Sequence, residues 1–126
     1  MPYVTTWNTD GIIWTFSDDV SAEEISRANA EFYADERSDS SRFQIIDAAQ
    51  VKSVEWNDNH IAQTAAHDIG ADRRIRHVKV AYIAKETEIV SKLEKYVELS
   101  RRLNSSWQFK GFSEMEAALE WATSEE

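Results

Sequence analysis

The chain has 126 residues, of which 42% are hydrophobic and 29% are charged, and its formal net charge at pH 7 is −9. This length and composition exclude a disordered chain, and we expect residues 1–126 to form a single domain with its own hydrophobic core. The negative charge repels nucleic acid and anionic lipid unless the positive charge is concentrated in one patch, and we expect no nucleic acid partner.

A hairpin and a helix are the first predicted elements. PYVTTW and GIIWTF are short runs of β-branched and aromatic residues, which are typical of strands. Asp10-Gly11 between them predicts a tight antiparallel turn, because glycine tolerates a positive φ. A helix is predicted over SAEEISRANAEFYAD, where Ser21 and Glu24 have the spacing of a capping box.

The later elements alternate between strand and helix. RFQIIDA has the apolar run of a buried strand that ends near Asp47, and the helical pattern of DNHIAQTAAHDIG has a natural stop at Gly70. HVKVAYIA is the clearest central strand, and KETEIVSKLEKYVELSRRLN carries the apolar stripe of a long amphipathic helix. WQFKGF alternates like an edge strand, and Ser113 and Glu116 predict a second capping box for the helix SEMEAALEWA.

The resulting order is β-β-α-β-α-β-α-β-α. Helices between strands imply crossover connections, so this order predicts an α/β fold with a mixed, mainly parallel sheet flanked by helices. The first hairpin adds an antiparallel strand at one edge.

Four segments carry a resemblance to a known family: GIIWTFSDDVSAEE, QIIDAAQV, VAYIAKETEIVSKL and FSEMEAALEWA. They resemble the SpoIIAA-like STAS domains, small and mostly uncharacterised bacterial proteins related to anti-sigma-factor antagonists and grouped with lipid-binding Sec14-type domains. The resemblance covers nearly the whole chain. It implies the SpoIIAA-like STAS fold for this protein.

The resemblance also implies where a regulatory site would lie. In the regulatory antagonists, the turn between a strand and a helix carries an Asp-Ser pair, and a kinase partner phosphorylates the serine. Counted from Asp47, this pair falls near Glu55, Trp56 and Asn57, where neither serine nor threonine stands. Ser53 lies upstream, within the extended run. The phosphorylation switch is therefore missing at this turn.

The same turn and the helix behind it form the candidate partner-binding site. Asn57 or a neighbour caps the helix in the simpler interpretation, whereas a fixed negative charge on Asp58 would resemble a phosphorylated state in the other. Trp56 either packs on the first helical turn or serves as an interface anchor, and its exposure decides between the two. The candidate partner-binding residues are Trp56, Asn57, Asp58, Asn59, His60 and His67.

Two further sets of polar residues, the histidines of this helix and a basic patch, are weaker candidates for a functional site. His60 and His67 lie seven residues apart, roughly 10 Å along a helix, so we expect them to share a surface face rather than a metal. A basic patch at Arg73, Arg74 and Arg76, continued by His77 and Lys79, is either an anion site or a solvated loop.

We expect no enzyme activity, no catalytic residue, no metal and no cofactor. The sequence has no Gly-x-Ser-x-Gly motif, its three glycines are dispersed, and the absence of cysteine excludes a thiol nucleophile and a disulfide. No apolar run approaches the roughly 20 residues that cross a bilayer, so we expect no stable membrane insertion. The N-terminal residues do not resemble a signal peptide, and a cytoplasmic location is the simplest interpretation.

The leading functional hypothesis is a non-enzymatic protein-interaction or regulatory module whose protein partner is unidentified. The alternative, which the Sec14-type relation implies, is a carrier of a small apolar, lipid-like ligand. A homodimer is a third hypothesis, because PYVTTW or WQFKGF would form an open sheet edge. For the carrier, the candidate pocket residues are Trp14, Phe16, Phe32, Tyr82, Trp107 and Trp121.

Overall fold

The computed structural model describes residues 3–124 and contains one five-stranded sheet with helices on both faces. The strands are β1 (Tyr3–Asn8), β2 (Gly11–Val20), β3 (Phe43–Val54), β4 (Lys79–Ala84) and β5 (Gln108–Phe112). The helices are α1 (Ala22–Ala34), α2 (Asp58–Asp72), α3 (Thr87–Arg102) and α4 (Met115–Thr123), and a short 3₁₀ helix spans Glu36–Ser40. None of the helices in this part of the chain is long and apolar enough to span a membrane.

The sheet follows the chain in spatial order, β1-β2-β3-β4-β5. β1 pairs antiparallel with β2, and each later pair is parallel, with Phe43 of β3 opposite Lys79 of β4. The predicted order of elements and the mixed, mainly parallel sheet are therefore confirmed.

Two hydrophobic cores lie on opposite faces of the sheet. On one face, Trp14 and Phe16 of β2 pack with the buried residues of α1, α2 and α3. On the other face, α4 contributes Ala118 and Ala122, which cover Ile45 of β3 and its neighbours. The larger core therefore lies under three helices, and the smaller one lies under α4.

Two register shifts between β2 and β3 shape the floor of this larger core. Each shift adds one residue to β3 relative to β2, at Thr15/Ser17 and at Asp18/Asp19. Because a strand normally alternates its side chains between faces, an extra residue resets which ones point to the core. Val51 thus points to the same core as Ala48, although the two lie three residues apart.

The structure corrects several local predictions. β3 continues to Val54, so Asp47 lies within the strand rather than at its end, and its Oδ1 accepts a hydrogen bond from the Ala49 amide at 3.1 Å. α2 runs through Gly70 to Asp72, because tertiary packing of the following turn sustains the helix. Glu114 rather than Ser113 is the N-cap of α4, and within residues 3–124 it makes no side-chain capping bond.

Gly11 is required for a different reason from the one predicted. It does not adopt a positive φ. Instead, a Cβ at this position would lie 2.6 Å from the ring and the carbonyl oxygen of Phe43, a fully buried residue of the adjacent strand. Close approach of β2 to β3 therefore excludes a side chain here.

Candidate functional site

An inner cavity of about 90 Å³ lies between the sheet and the helices α1, α2 and α3. Its floor consists of side chains from β2 and β3. Gln44, Ile46 and Ala48 enter it because strand side chains alternate between faces, and the register shift resets this alternation before Val51. Its wall is almost entirely apolar. The apolar lining residues are Trp14, Phe16, Val20, Ile25, Ala28, Ile46, Ala48, Val51, Val54, Trp56, Ile89 and Leu93.

Gln44 is the polar residue in the cavity floor. It stands on β3 two residues before Ile46, and it is 3% exposed. Its Nε2 is buried and has no hydrogen-bond partner among residues 3–124. An unsatisfied buried donor costs about 1–3 kcal/mol, and buried polar groups in native proteins nearly always have a partner.

Asp68 places a carboxyl group at the α2 side of the cavity. It accepts a hydrogen bond from the Tyr33 hydroxyl of α1 at 2.5 Å and a second, short one from the Tyr96 hydroxyl of α3. Burial raises the pKa of Asp68 from 3.8 to about 6, and the bonds from the two tyrosines partly oppose that rise. Burial and the nearby Asp68 raise the pKa of both tyrosines. Asp68 of α2 is thus linked by hydrogen bonds to both α1 and α3.

Trp56 separates the inner cavity from the protein surface. It is 7% exposed, its ring centroid lies 5.8 Å from that of Tyr96, and its Nε1 donates a weak hydrogen bond to Thr64 Oγ1 at 3.4 Å. The Lys92 ammonium of α3 donates to the Trp56 carbonyl at 2.9 Å. A buried indole is not available as an interface anchor, so packing on α2 is the interpretation that its burial favours.

An outer groove of about 320 Å³ runs between α1 and α2 on the surface. It shares Asn29, Trp56 and Thr64 with the inner cavity, so these side chains form the boundary between the two spaces. The rest of its lining is mostly polar. The remaining lining residues are Ala22, Glu23, Ser26, Ala30, Tyr33, His60, Gln63 and His67.

The polar cluster before α2 begins the helix. Asn57 is the N-cap: its Oδ1 accepts from the His60 amide at 2.9 Å, and His60 Nδ1 accepts from the Asn57 amide at 3.1 Å. Asp58 and Asn59 are exposed, and Asp58 lies 3.5 Å from the Lys95 ammonium. The sequence analysis foresaw capping here, but it did not foresee that His60 completes the capping box.

The two histidines of α2 have separate environments. His60 belongs to the capping box and His67 is exposed. Within residues 3–124, no group of three or more His, Asp or Glu side chains could hold a metal ion.

The basic patch is a set of exposed and mostly paired side chains. Arg74 bonds Asp39 at 2.8 Å, Arg76 lies 3.8 Å from Asp72, and Arg73 is exposed. Lys79 does not belong to it, because its buried ammonium bonds Ser124 and the Trp121 carbonyl at the end of α4. The geometry is that of a solvated loop.

The six aromatic residues predicted for an apolar pocket do not line one cavity. Trp14 and Phe16 line the inner cavity. Phe32 stacks on Trp7, and Trp107 bonds the Ile75 carbonyl, both within the larger core. Tyr82 is half-buried against that core, and Trp121 packs on the opposite face of the sheet. Periodicity identified them as inward-facing, but it could not tell which face each one occupies.

Gln44 and Asp68 are two polar residues of the cavity that sequence analysis did not assign to a pocket. Gln44 interrupts the apolar run of β3, and Asp68 follows Ile61 and Ala65 on the inner stripe of α2. A polar residue at an apolar position of a periodic pattern was the available signal.

Comparison with solved structures identifies the class of fold. The chain is similar to the crystal structure of an uncharacterized protein of the DUF3478 family, with a SpoIIAA-like fold, from Shewanella loihica PV-4. The TM-score is 0.57 at 11% sequence identity, and the match covers 95% of this chain and 91% of that chain. No family model and no curated protein sequence matches the chain. Residues 3–124 thus form one α/β domain with a SpoIIAA-like fold, as the sequence resemblance implied.

Proposed function

We propose that this protein is a non-enzymatic binding protein for a small, mainly apolar molecule that occupies the inner cavity. The observation that carries the proposal is the cavity itself, which is lined by apolar side chains from the sheet and three helices. Ligand sites are typically concave, mostly apolar and equipped with a few polar groups, as this one is. The carrier hypothesis therefore moves ahead of the interaction hypothesis that the sequence favoured.

The size of the cavity restricts the ligand. A cavity of roughly 150 Å³ can hold benzene, and this one measures about 90 Å³. A long acyl chain does not fit, so the lipid-like ligand expected from the Sec14-type relation is replaced by a smaller one. A longer molecule would keep its polar part in the outer groove, next to Asn29 and Thr64.

The polar groups of the cavity support binding rather than catalysis. Both oxygens of Asp68 accept bonds from tyrosines, and Lys92 is engaged with the Trp56 carbonyl. A general base must lie within hydrogen-bond reach of the proton that it abstracts, and the Asp68 carboxyl is held instead by two tyrosine hydroxyls.

Filling the cavity tests the proposal. Native mass spectrometry of the gently purified protein should detect a retained small molecule, and the variant Ala28→Leu, which occupies the cavity from α1, should lack it. Ala34→Leu is the matched control, because Ala34 is an exposed residue of the same helix. Retention of the same mass by Ala28→Leu would place the ligand elsewhere and contradict the proposal. Ala48→Val fills the cavity from β3 if the first variant does not fold.

A protein-interaction module is the second candidate function. It is favoured by the exposed turn at Asn57–Asn59 and by the polar outer groove, which contains His60 and His67. Asp58 is almost fully exposed, so Asp58→Asn should leave stability unchanged and weaken binding of a co-purified protein partner. Equal binding by the variant would contradict a role for this charge.

A further inference from the structure

We propose that the ligand of the inner cavity presents a neutral hydrogen-bond acceptor, such as a carbonyl oxygen, to the side-chain amide of Gln44. The inference rests on the proposed function and names the chemical class of the ligand: a compact apolar body with one uncharged acceptor.

The Gln44 side chain presents an unpaired amide donor in the cavity. Gln44 lies in the cavity floor, and its Nε2 has no partner in the described part of the chain. The final torsion of a glutamine side chain has a broad preference, so a small rotation aims the N–H at a bound molecule. An acceptor on the ligand would then satisfy the donor that the fold leaves unpaired.

The charges around the cavity favour a neutral ligand. The Asp68 carboxyl already accepts two hydrogen bonds, and the Lys92 ammonium donates to a backbone carbonyl. Both groups are already hydrogen-bonded within the protein, and a charged ligand would be costly to bury among the apolar walls. Asp68 also repels an anion once it is ionised.

The rest of the floor and the α3 wall select the ligand's body. Trp14 and Phe16 of β2 and Leu93 of α3 offer mainly apolar surface. A molecule that enters from the outer groove, past Trp56 and Thr64, would bring its acceptor to the β3 floor and its hydrocarbon against these rings.

Two small probes of nearly equal shape separate the hydrogen bond from apolar packing. Cyclobutanone carries a carbonyl oxygen where methylenecyclobutane carries a CH₂ group, and each has one non-hydrogen atom fewer than benzene. Their affinities are measured by titration of amide and indole NMR signals for the wild type, for Gln44→Met and for Gln50→Met. Gln50 is the matched control, since it is an exposed glutamine on the same strand.

We expect the ratio of ketone affinity to alkene affinity to fall about threefold to tenfold in Gln44→Met and to stay constant in Gln50→Met. In the wild type, the side-chain NH₂ signals of Gln44 should shift when the ketone binds and stay nearly unchanged with the alkene. This second measurement needs no variant, so it decides the matter if Gln44→Met fails to fold.

The outcomes distinguish the inference from the proposed function. If both probes bind and the ratio does not change, with no ketone-specific shift of the Gln44 signals, the acceptor inference is overturned while the cavity remains a ligand site. If neither probe binds the wild type and the purified protein retains no small molecule, the proposed function fails, and the inference fails with it.

Discussion

Asp68 brings a carboxyl group into the larger core, where two tyrosine hydroxyls are its hydrogen-bond donors. Burial raises its pKa to about 6, above the ordinary value of 3.8. The folded protein therefore holds a proton that the unfolded chain has released in the interval between these values. The contribution of Asp68 to stability is fully present below about pH 4 and is lost as the pH rises through about 6.

We predict that Asp68→Asn removes this dependence. The free energy of unfolding of the wild type, minus that of the variant, should decrease by up to about 3 kcal/mol between about pH 4 and pH 7, at 1.36 kcal/mol per pH unit between the two pKa values. Urea unfolding of both proteins at several pH values measures this difference. The other carboxyl groups contribute equally to both proteins, so their contributions cancel. Parallel curves for the two proteins would show that Asp68 titrates alike in both states.

Two glycines give an opposed pair of predictions. Gly11→Ala should lower the free energy of unfolding by roughly 1–3 kcal/mol, because its Cβ would collide with Phe43, including the carbonyl oxygen. Gly70→Ala should raise it by about 0.4–1 kcal/mol, because Gly70 is an exposed helical residue with nothing within 4 Å of the added Cβ among the described residues. Thermal unfolding of both variants measures these changes. A lower stability of Gly70→Ala than of the wild type would contradict the helix boundary at Asp72.

At the scale of elements, Ser21 and Ser113 share a sequence signature but differ in whether they cap the helix that follows. Ser21 caps α1: its Oγ accepts from the Glu24 amide at 3.2 Å, and Glu24 reaches back to the Ser21 amide at 2.9 Å. Ser113 has the same spacing to Glu116, yet α4 begins one residue later, after Glu114. The capping box is a local motif, but packing of α4 on the sheet selects which residue starts the helix.

Replacement of each serine by alanine tests this difference. Ser21→Ala should cost about 1 kcal/mol of stability, whereas Ser113→Ala, its matched control, should change it by less than about 0.5 kcal/mol. Chemical denaturation of the two variants gives both values. Equal losses would show that Ser113 caps α4 in solution.

At the scale of the whole molecule, β1 and β5 are the edges of the described sheet. Val4 of β1 is 58% exposed, so one edge carries apolar surface as well as unpaired backbone groups. We predict a homodimer formed through β1, with a mass by light scattering near twice 14.5 kDa that decreases on dilution and in Val4→Lys. A constant monomer mass over a wide concentration range would contradict the prediction.

Local sequence patterns predicted the order of elements in this protein, and the family resemblance predicted its fold. Strand and helix periodicity, the capping box at Ser21 and the resemblance of four segments predicted the element order and the SpoIIAA-like fold that the structure has. The periodicity and the capping box are local signals, because each depends on residues within a few positions of one another. They also identified Trp14 and Phe16 as inward-facing.

The tertiary structure decided the site. Gln44 on β3, Asp68 on α2 and Tyr96 on α3 are distant in sequence, and only packing of the helices on the sheet brings them to one cavity. The burial of Trp56 and the placement of Trp121 on the opposite face depend on the same packing. Periodicity determines that a side chain points inward, whereas the assembled layers determine which partners it meets and where space remains between them.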